Sequence, residues 1–306
     1  FGLFGDSPMA AALPPRPTAD TKITLVVLAV PALGPEGMEL ALVPLQRLAR
    51  LLTQVDAESW AYEPGTYEAL LAAIARYESV VLLSGDIHAG FTAYADYWSA
   101  PNGEPVRTAR IVQLVASGLT KDWGDYGPAF IGHTLSHEIF ESATTPTQPH
   151  AERVGWGTPL KQVPVEPPTI GDMVTVPNGS VVHPTYRTRL RMRAPVVPTH
   201  GWPSGTIEAR DPNWAWRAFM VRDEREEFTN DPTAVNRWTP VTLPTDPLSP
   251  SIVGWHADAA RRMAYGRVFC FLPNVGVVTF EKDLQDQWAV RHVLAGELPD
   301  MPGTGN

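Results

Sequence analysis

Tyr67 to Trp98, YEALLAAIARYESVVLLSGDIHAGFTAYADYW, reads as a helix, a buried strand, a sharp polar loop and a second strand. Tyr67, Leu70, Leu71, Ile74 and Tyr77 recur at helical spacing and make one apolar face. Glu63 and Pro64 precede them, and proline suits an opening helical turn, where its missing N–H has no partner to lose. Val80 to Leu83 is an unbroken apolar run, the pattern of a strand covered on both faces. The run ends in Ser84-Gly85-Asp86-Ile87-His88-Ala89-Gly90. In open α/β folds such a strand end is where ligands are held.

Asp86 and His88 carry the chemistry of this stretch. Residues two apart in an extended segment point to the same side, so a carboxylate and an imidazole converge there. That pair suits Zn, Fe or Mn better than a cage made only of oxygens. Gly85 and Gly90 permit the backbone turns needed by a loop pressed against a metal or a phosphate. Asp-x-His is a short motif, and a loop carboxylate bonded to a neighbouring imidazole is the alternative reading of it.

Working outward, residues 1–20 are rich in Gly and Pro and read as an extended lead-in. Ile23 to Val30 is a buried-type strand ending at Pro31, and Met38 to Leu52 is a helix with a leucine stripe facing the core. Phe91 to Trp98 and Arg110 to Val115 complete a strand-helix-strand order that predicts an α/β sheet layer over 21–142. Within it, Gly132-His133-Thr134-Leu135-Ser136-His137 places two histidines at i and i+4, a helical spacing that can clip a metal. Residues 143–215 are Pro-rich and read as irregular, with His150, His183 and His200 as isolated loop histidines and no catalytic group among them. From 216 to 306 the pattern turns to β hairpins. Trp214 and Trp216 lead into a strand through Arg222, Tyr265 to Leu272 and Gly276 to Phe280 read as a hairpin around Pro273-Asn274, and Trp288 to Leu294 is the last strand.

A longer pattern joins these pieces. From Asp56-Ala57-Glu58-Ser59-Trp60 through Ser84-Gly85-Asp86-Ile87-His88 to Tyr97-Trp98, then Ala109-Arg110-Ile111-Val112-Gln113-Leu114, the chain resembles PhoD-like members of the calcineurin-like metallophosphoesterases. A fainter echo lies at Asp211-Pro212-Asn213-Trp214-Ala215-Trp216 and Arg222-Asp223-Glu224-Arg225. The resemblance implies a two-sheet α/β sandwich, a divalent or mixed-valence metal pair (Fe, Mn, Zn or Ca) at the strand ends, and cleavage of phosphate esters by metal-activated water. It puts Asp86 and His88 in the late Gly-[His/Asp]-x-His metal loop, with Asp86 standing where the common form has histidine. A Gly-His pair like Gly132-His133 also serves that family as a ligand, but before the late loop and not after it.

The family's early Asp-x-His, Gly-Asp-x-x-Asp and Gly-Asn-His-Asp/Glu do not occur upstream of residue 84. Gly5-Asp6, Gly124-Asp125 and Gly171-Asp172 all lack the second aspartate. The chain, which begins at Phe1, therefore reads as the later part of such an enzyme. Its expected partners are a phosphorylated substrate and a polypeptide carrying the early ligands, either its own N-terminal part or another chain. The alternative function is a non-catalytic, enzyme-derived module for assembly or recognition. A serine hydrolase is disfavoured, because no Gly-x-Ser-x-Gly elbow is present.

Composition narrows the field. Hydrophobic content of 44% and charged content of 19% fit a globular chain, and 306 residues suffice for a large core. A formal charge of −9 argues against a sequence-independent grip on nucleic acid, which relies on many Lys and Arg contacts to phosphates. Cys270 is the only cysteine, so no disulfide forms within the chain, and its apolar neighbours predict a buried structural thiol. No apolar stretch reaches the roughly 20 residues that span a bilayer, and the opening lacks the basic segment and apolar core of a signal peptide, so a soluble chain is expected.

Overall fold

The computed structural model describes residues 13–15, 21–34, 60, 63–85, 90–99, 107–116, 150–157, 161–164, 172–174, 185–192, 213–221, 238–240, 269–270 and 274–296. In chain order the elements are β1 (Thr24–Val27), α1 (Pro64–Ala75), β2 (Ser79–Ser84), β3 (Gly90–Ser99), β4 (Arg107–Val115), β5 (His150–Trp156) and β6 (Lys161–Pro164). They continue with β7 (Asp172–Val174), β8 (Thr185–Arg191), β9 (Trp214–Met220), β10 (Trp238–Pro240), β11 (Phe269–Cys270), β12 (Asn274–Lys282) and β13 (Trp288–Gly296). The described residues are thus mostly β, with a single helix.

β1, β2 and β4 are parallel neighbours in that order, and β3, β9, β5 and β6 extend the same sheet antiparallel. β8, β13 and β12 form a second, antiparallel sheet, and β7 pairs with β10. Side-chain alternation then sorts the core into two layers. Val80, Leu82, Ile111, Ala93, Ala95 and Trp216 join Tyr67, Leu70, Leu71 and Ile74 of α1 on one face of the mixed sheet. Val81, Val112 and Leu114 face the other way and pack with Val290 of the second sheet and with Met192, the residue after β8. The layer order is helix, mixed sheet, small sheet. Each fully buried Leu or Ile contributes roughly 1.5–3 kcal/mol of transfer energy to that arrangement.

The local sequence explains how α1 hands over to β2. Proline stands at the helix start, as expected, and the helix closes through hydrogen bonds from the Tyr77 and Glu78 N–H groups to the carbonyls of Ile74 and Ala75. Glu78 adopts a left-handed φ of 64°, which redirects the chain into a strand at the next residue. Val80 to Leu83 is the strand that its apolar run predicts, covered on both sides. The lead-in also touches the core: the Tyr77 hydroxyl donates to the Pro14 carbonyl, and Leu13 packs against the helix-side layer.

Three expectations need correction. β1 stops at Val27, short of Val30, and is not a buried strand: Leu25 and Val27 are exposed, while Pro31 to Gly34 beyond it are buried. The stretch 143–215, predicted irregular from its prolines, contains β5, β6, β7 and β8. Proline is tolerated there by position: Pro164 ends β6, which lies at the margin of the sheet. His150 accordingly begins β5, opposite Met220, and is not a loop residue. The third correction concerns the hairpin around Pro273-Asn274. Phe269-Cys270 pairs instead with the start of β3, continuing along the edge that β9 leaves at Met220. The hairpin partner of β12 is β13, joined by a turn in which the Asp283 carboxylate accepts from the N–H groups of Gln285 and Gln287. Met38 to Leu52, His183 and His200 lie outside the described residues. No helix among the described residues is long and apolar enough to cross a membrane.

Candidate functional site

The parallel strands β1, β2 and β4 finish at one edge of the mixed sheet, and β2, the middle one, ends at Ser84. The chain resumes at Gly90, the first residue of β3, on the far side of β4. Asp86 and His88 fall between these points, outside the described residues, as do His133 and His137. What the structure gives is the frame: both ends of the segment carrying Asp86 and His88 are pinned. The Ala116 N–H donates to the Ser84 carbonyl at 3.2 Å, and Phe91 is paired with Val115. The segment therefore starts and ends on either side of the end of β4.

The Ser84 end is held by Gln113, which is fully buried on the helix side of β4. Its Oε1 accepts from the Ala32 N–H at 2.9 Å. Its Nε2 donates to the Leu82 carbonyl at 3.3 Å and to the Ser84 hydroxyl at 2.9 Å. An amide left unpaired in that position would cost about 1–3 kcal/mol, so the pattern of partners is what makes glutamine acceptable there. Tyr67 holds the same neighbouring segment, donating its hydroxyl proton to the Ala32 carbonyl at 2.7 Å.

The Gly90 end is held by packing. A Cβ on Gly90 would lie 2.4 Å from Leu294 Cδ1 and 3.3 Å from both Asn274 Oδ1 and the Val115 carbonyl. Gly90→Ala is therefore expected to destabilise the protein by about 1–3 kcal/mol through overpacking. A urea midpoint indistinguishable from wild type would contradict that close approach. Cys270, buried as its apolar neighbours predict, lies opposite Gly90 in the ladder.

One strand step inward, between the two sheets, sits a polar cluster. Thr92 Oγ1 lies 2.7 Å from Thr188 Oγ1 and 2.9 Å from His292 Nδ1. Thr188 and His292 are each 1% exposed and Thr92 is fully buried. Burial pushes the His292 imidazole down to about 4, because a charged ring there would lose its hydration. The ring is neutral at pH 7 and serves as a hydrogen-bonded strut between sheets. Sequence reading passed over Gln113, Thr92, Thr188, Asn274 and His292. A signal was available: Gln113 interrupts the apolar run Ile111 to Val115, and His292 occupies a core-facing position between Val290 and Leu294.

Among the described residues no group of three His, Cys, Asp or Glu comes together in a metal-binding arrangement. Among the described residues that follow β1, Leu28 to Gly34 include no His, Cys, Asp or Glu, and Ala32 and Leu33 are fully buried. Compared with known proteins, the chain matches no family model, no curated protein and no solved structure.

Proposed function

We propose that this chain provides one ligand-bearing side of a metal-dependent phosphoric ester hydrolase, of phosphodiesterase or phosphomonoesterase type. One observation carries the reading: the Gly-flanked Asp86-x-His88 segment leaves from the middle of three parallel strands, at their shared carboxyl edge. The layered arrangement of helix, mixed sheet and second sheet is compatible with the metallophosphoesterase-like sandwich that the sequence resembles. His88 is assigned as a metal ligand, and Asp86 as a second ligand or as the carboxylate that orients an imidazole.

The donor types fit a borderline cation, but one imidazole and one carboxylate do not complete a dinuclear site. The remaining ligands come, in this reading, from a polypeptide carrying the early motifs. A cation bound there supplies Lewis acidity and an activated water. The described residues hold the two ends between which Asp86 and His88 fall in sequence: Gln113 bonds to Ser84 at one end, and Gly90 is closely packed at the other.

A second reading, a non-catalytic module for assembly or recognition, draws on the sequence upstream of residue 84, where the family's early ligand motifs do not occur. One experiment separates the two. His88→Ala, made in the chain and in the longest obtainable form of the protein, is expected to lower metal affinity by at least about 10-fold, no less than loss of a supporting residue does. Phosphodiesterase and phosphomonoesterase turnover should fall with it. Unchanged metal content and turnover remove His88 from the site and leave the module reading.

A further inference from the structure

We infer that the small sheet is an acid-sensitive flap: in mild acid it parts from the mixed sheet at its His292 end, while each sheet stays paired within itself. The inference is independent of the hydrolase reading. Among the described residues no strand pairing joins the two sheets, so side chains alone hold them together. Val81, Val112 and Leu114 meet Val290 and Met192 in the apolar part of that seam. The helix-side core contains no residue of β8, β12 or β13. Parting of the sheets therefore leaves α1 and the mixed sheet with a core of their own.

The two ends of the seam differ in chemistry. At one end the Ser79 hydroxyl donates to the Met192 carbonyl at 3.2 Å, and Arg110 Nη1 donates to the Arg191 carbonyl at 3.3 Å. Neither of those donors titrates in mild acid. At the other end Thr92 Oγ1 of β3 meets Thr188 Oγ1 of β8 and His292 Nδ1 of β13. Facing the ring, β3 presents Thr92, β8 presents Thr188, and β12 presents Val278 and Gly276, none of which ionises. Arg189, Arg291 and Glu281 stand at alternate positions, on the outer face of the small sheet. Lys282, on the inner face, lies over the Trp288 ring at the far end of β12, and Asp96 and Arg110 of the mixed sheet pair with each other. Cys270, a thiol, lies across from Gly90. Among the described residues, then, no carboxylate faces His292 to balance a charge on it, and burial alone pushes the ring down to about 4. Opening this end lets water reach the ring and returns it to near 6.5. A base depressed in the closed form favours the open form as pH falls from 6.5 toward 4, and the opening equilibrium rises about 20-fold between pH 7 and pH 5.

Cys270 is a built-in reporter. It is the only cysteine and is buried, and its register partner Gly90 packs against Leu294 of the small sheet. The test is labelling of the intact chain by 4,4′-dithiodipyridine at pH 7, 6 and 5, without urea and in sub-denaturing urea. Each rate is divided by that of the urea-unfolded chain at the same pH. The relative rate is expected to rise about 20-fold from pH 7 to pH 5. Its urea dependence should be well below that of global unfolding followed by circular dichroism, as a local opening requires. His292→Asn should flatten the pH response. A relative rate that does not change with pH overturns the inference, and so does a rise that persists in His292→Asn. Labelling with the full urea dependence of global unfolding at both pH 7 and pH 5 also overturns it, because the thiol is then reached only by unfolding the whole chain. If His292→Asn does not fold, the pH response and urea dependence of the wild-type protein decide together.

Discussion

Trp216→Ala is expected to cost about 3–5 kcal/mol of folding stability, the range for truncating a buried aromatic that cannot be replaced by collapse. Trp216 is fully buried at the helix side of β9, with its ring 6.3 Å from that of Tyr67 in an edge-on contact. On the adjacent strand its register partner is Gly155, where an added Cβ would lie 2.3 Å from Trp216 Cε2. The indole thus fills the space between α1 and the β5–β9 ladder, and the glycine exists to admit it. Urea unfolding followed by far-UV circular dichroism measures the loss. The same packing predicts a coupling: Gly155→Ala should be destabilising in the wild type and close to neutral in Trp216→Ala, where the obstructing ring is gone. A loss below about 1 kcal/mol for Trp216→Ala, or additive effects in the pair, would contradict the arrangement.

The second large effect is acid destabilisation through His292. Its imidazole is pushed down to about 4 in the fold by desolvation, whereas the unfolded chain binds its proton near 6.5. A depressed base favours the neutral form in the native state, so the unfolded state takes up more protons as pH falls. The contribution of His292 to stability is therefore complete above about 6.5 and drains away as pH falls from there to about 4. The slope approaches 1.4 kcal/mol per pH unit, which amounts to about 2 kcal/mol between pH 7 and pH 5. His292→Asn keeps a polar atom near Thr92 and removes the titration, so its stability should fall less over that interval. Parallel loss of stability in wild type and variant between pH 7 and 5 would show that the ring is not held neutral between the sheets.

Both effects belong to contacts between segments far apart in the chain. Thr92 and His292 are 200 positions apart, and Trp216 meets Tyr67 on a helix early in the chain. No local pattern brings such residues together. What local patterns determine is how each segment presents itself. The stripe from Tyr67 to Ile74 required a helix with one buried face, and that face is buried as the spacing predicts. The run Val80 to Leu83 required cover on both sides, and α1 and the second sheet supply it. The end of that strand before the Gly-flanked Asp86-x-His88 motif was legible too: β2 finishes at Ser84, while Asp86 and His88 themselves lie outside the described residues.

Tertiary structure decided the rest. Proline content made 143–215 look irregular, since proline weakens a strand locally. Yet β5 gains an antiparallel ladder with β9, interrupted only by an irregularity between His150 and Glu152, and pairing of that extent outweighs the local cost. Phe269-Cys270 and Asn274 to Lys282 are neighbours in sequence and part company in space, because each strand pairs where its own register is completed: β11 along β3, β12 along β13. Gln113 and His292 stood out against their apolar surroundings only as anomalies. Their meaning is set by the strand exit and the second sheet that each one meets, and those meet them only once the chain has folded.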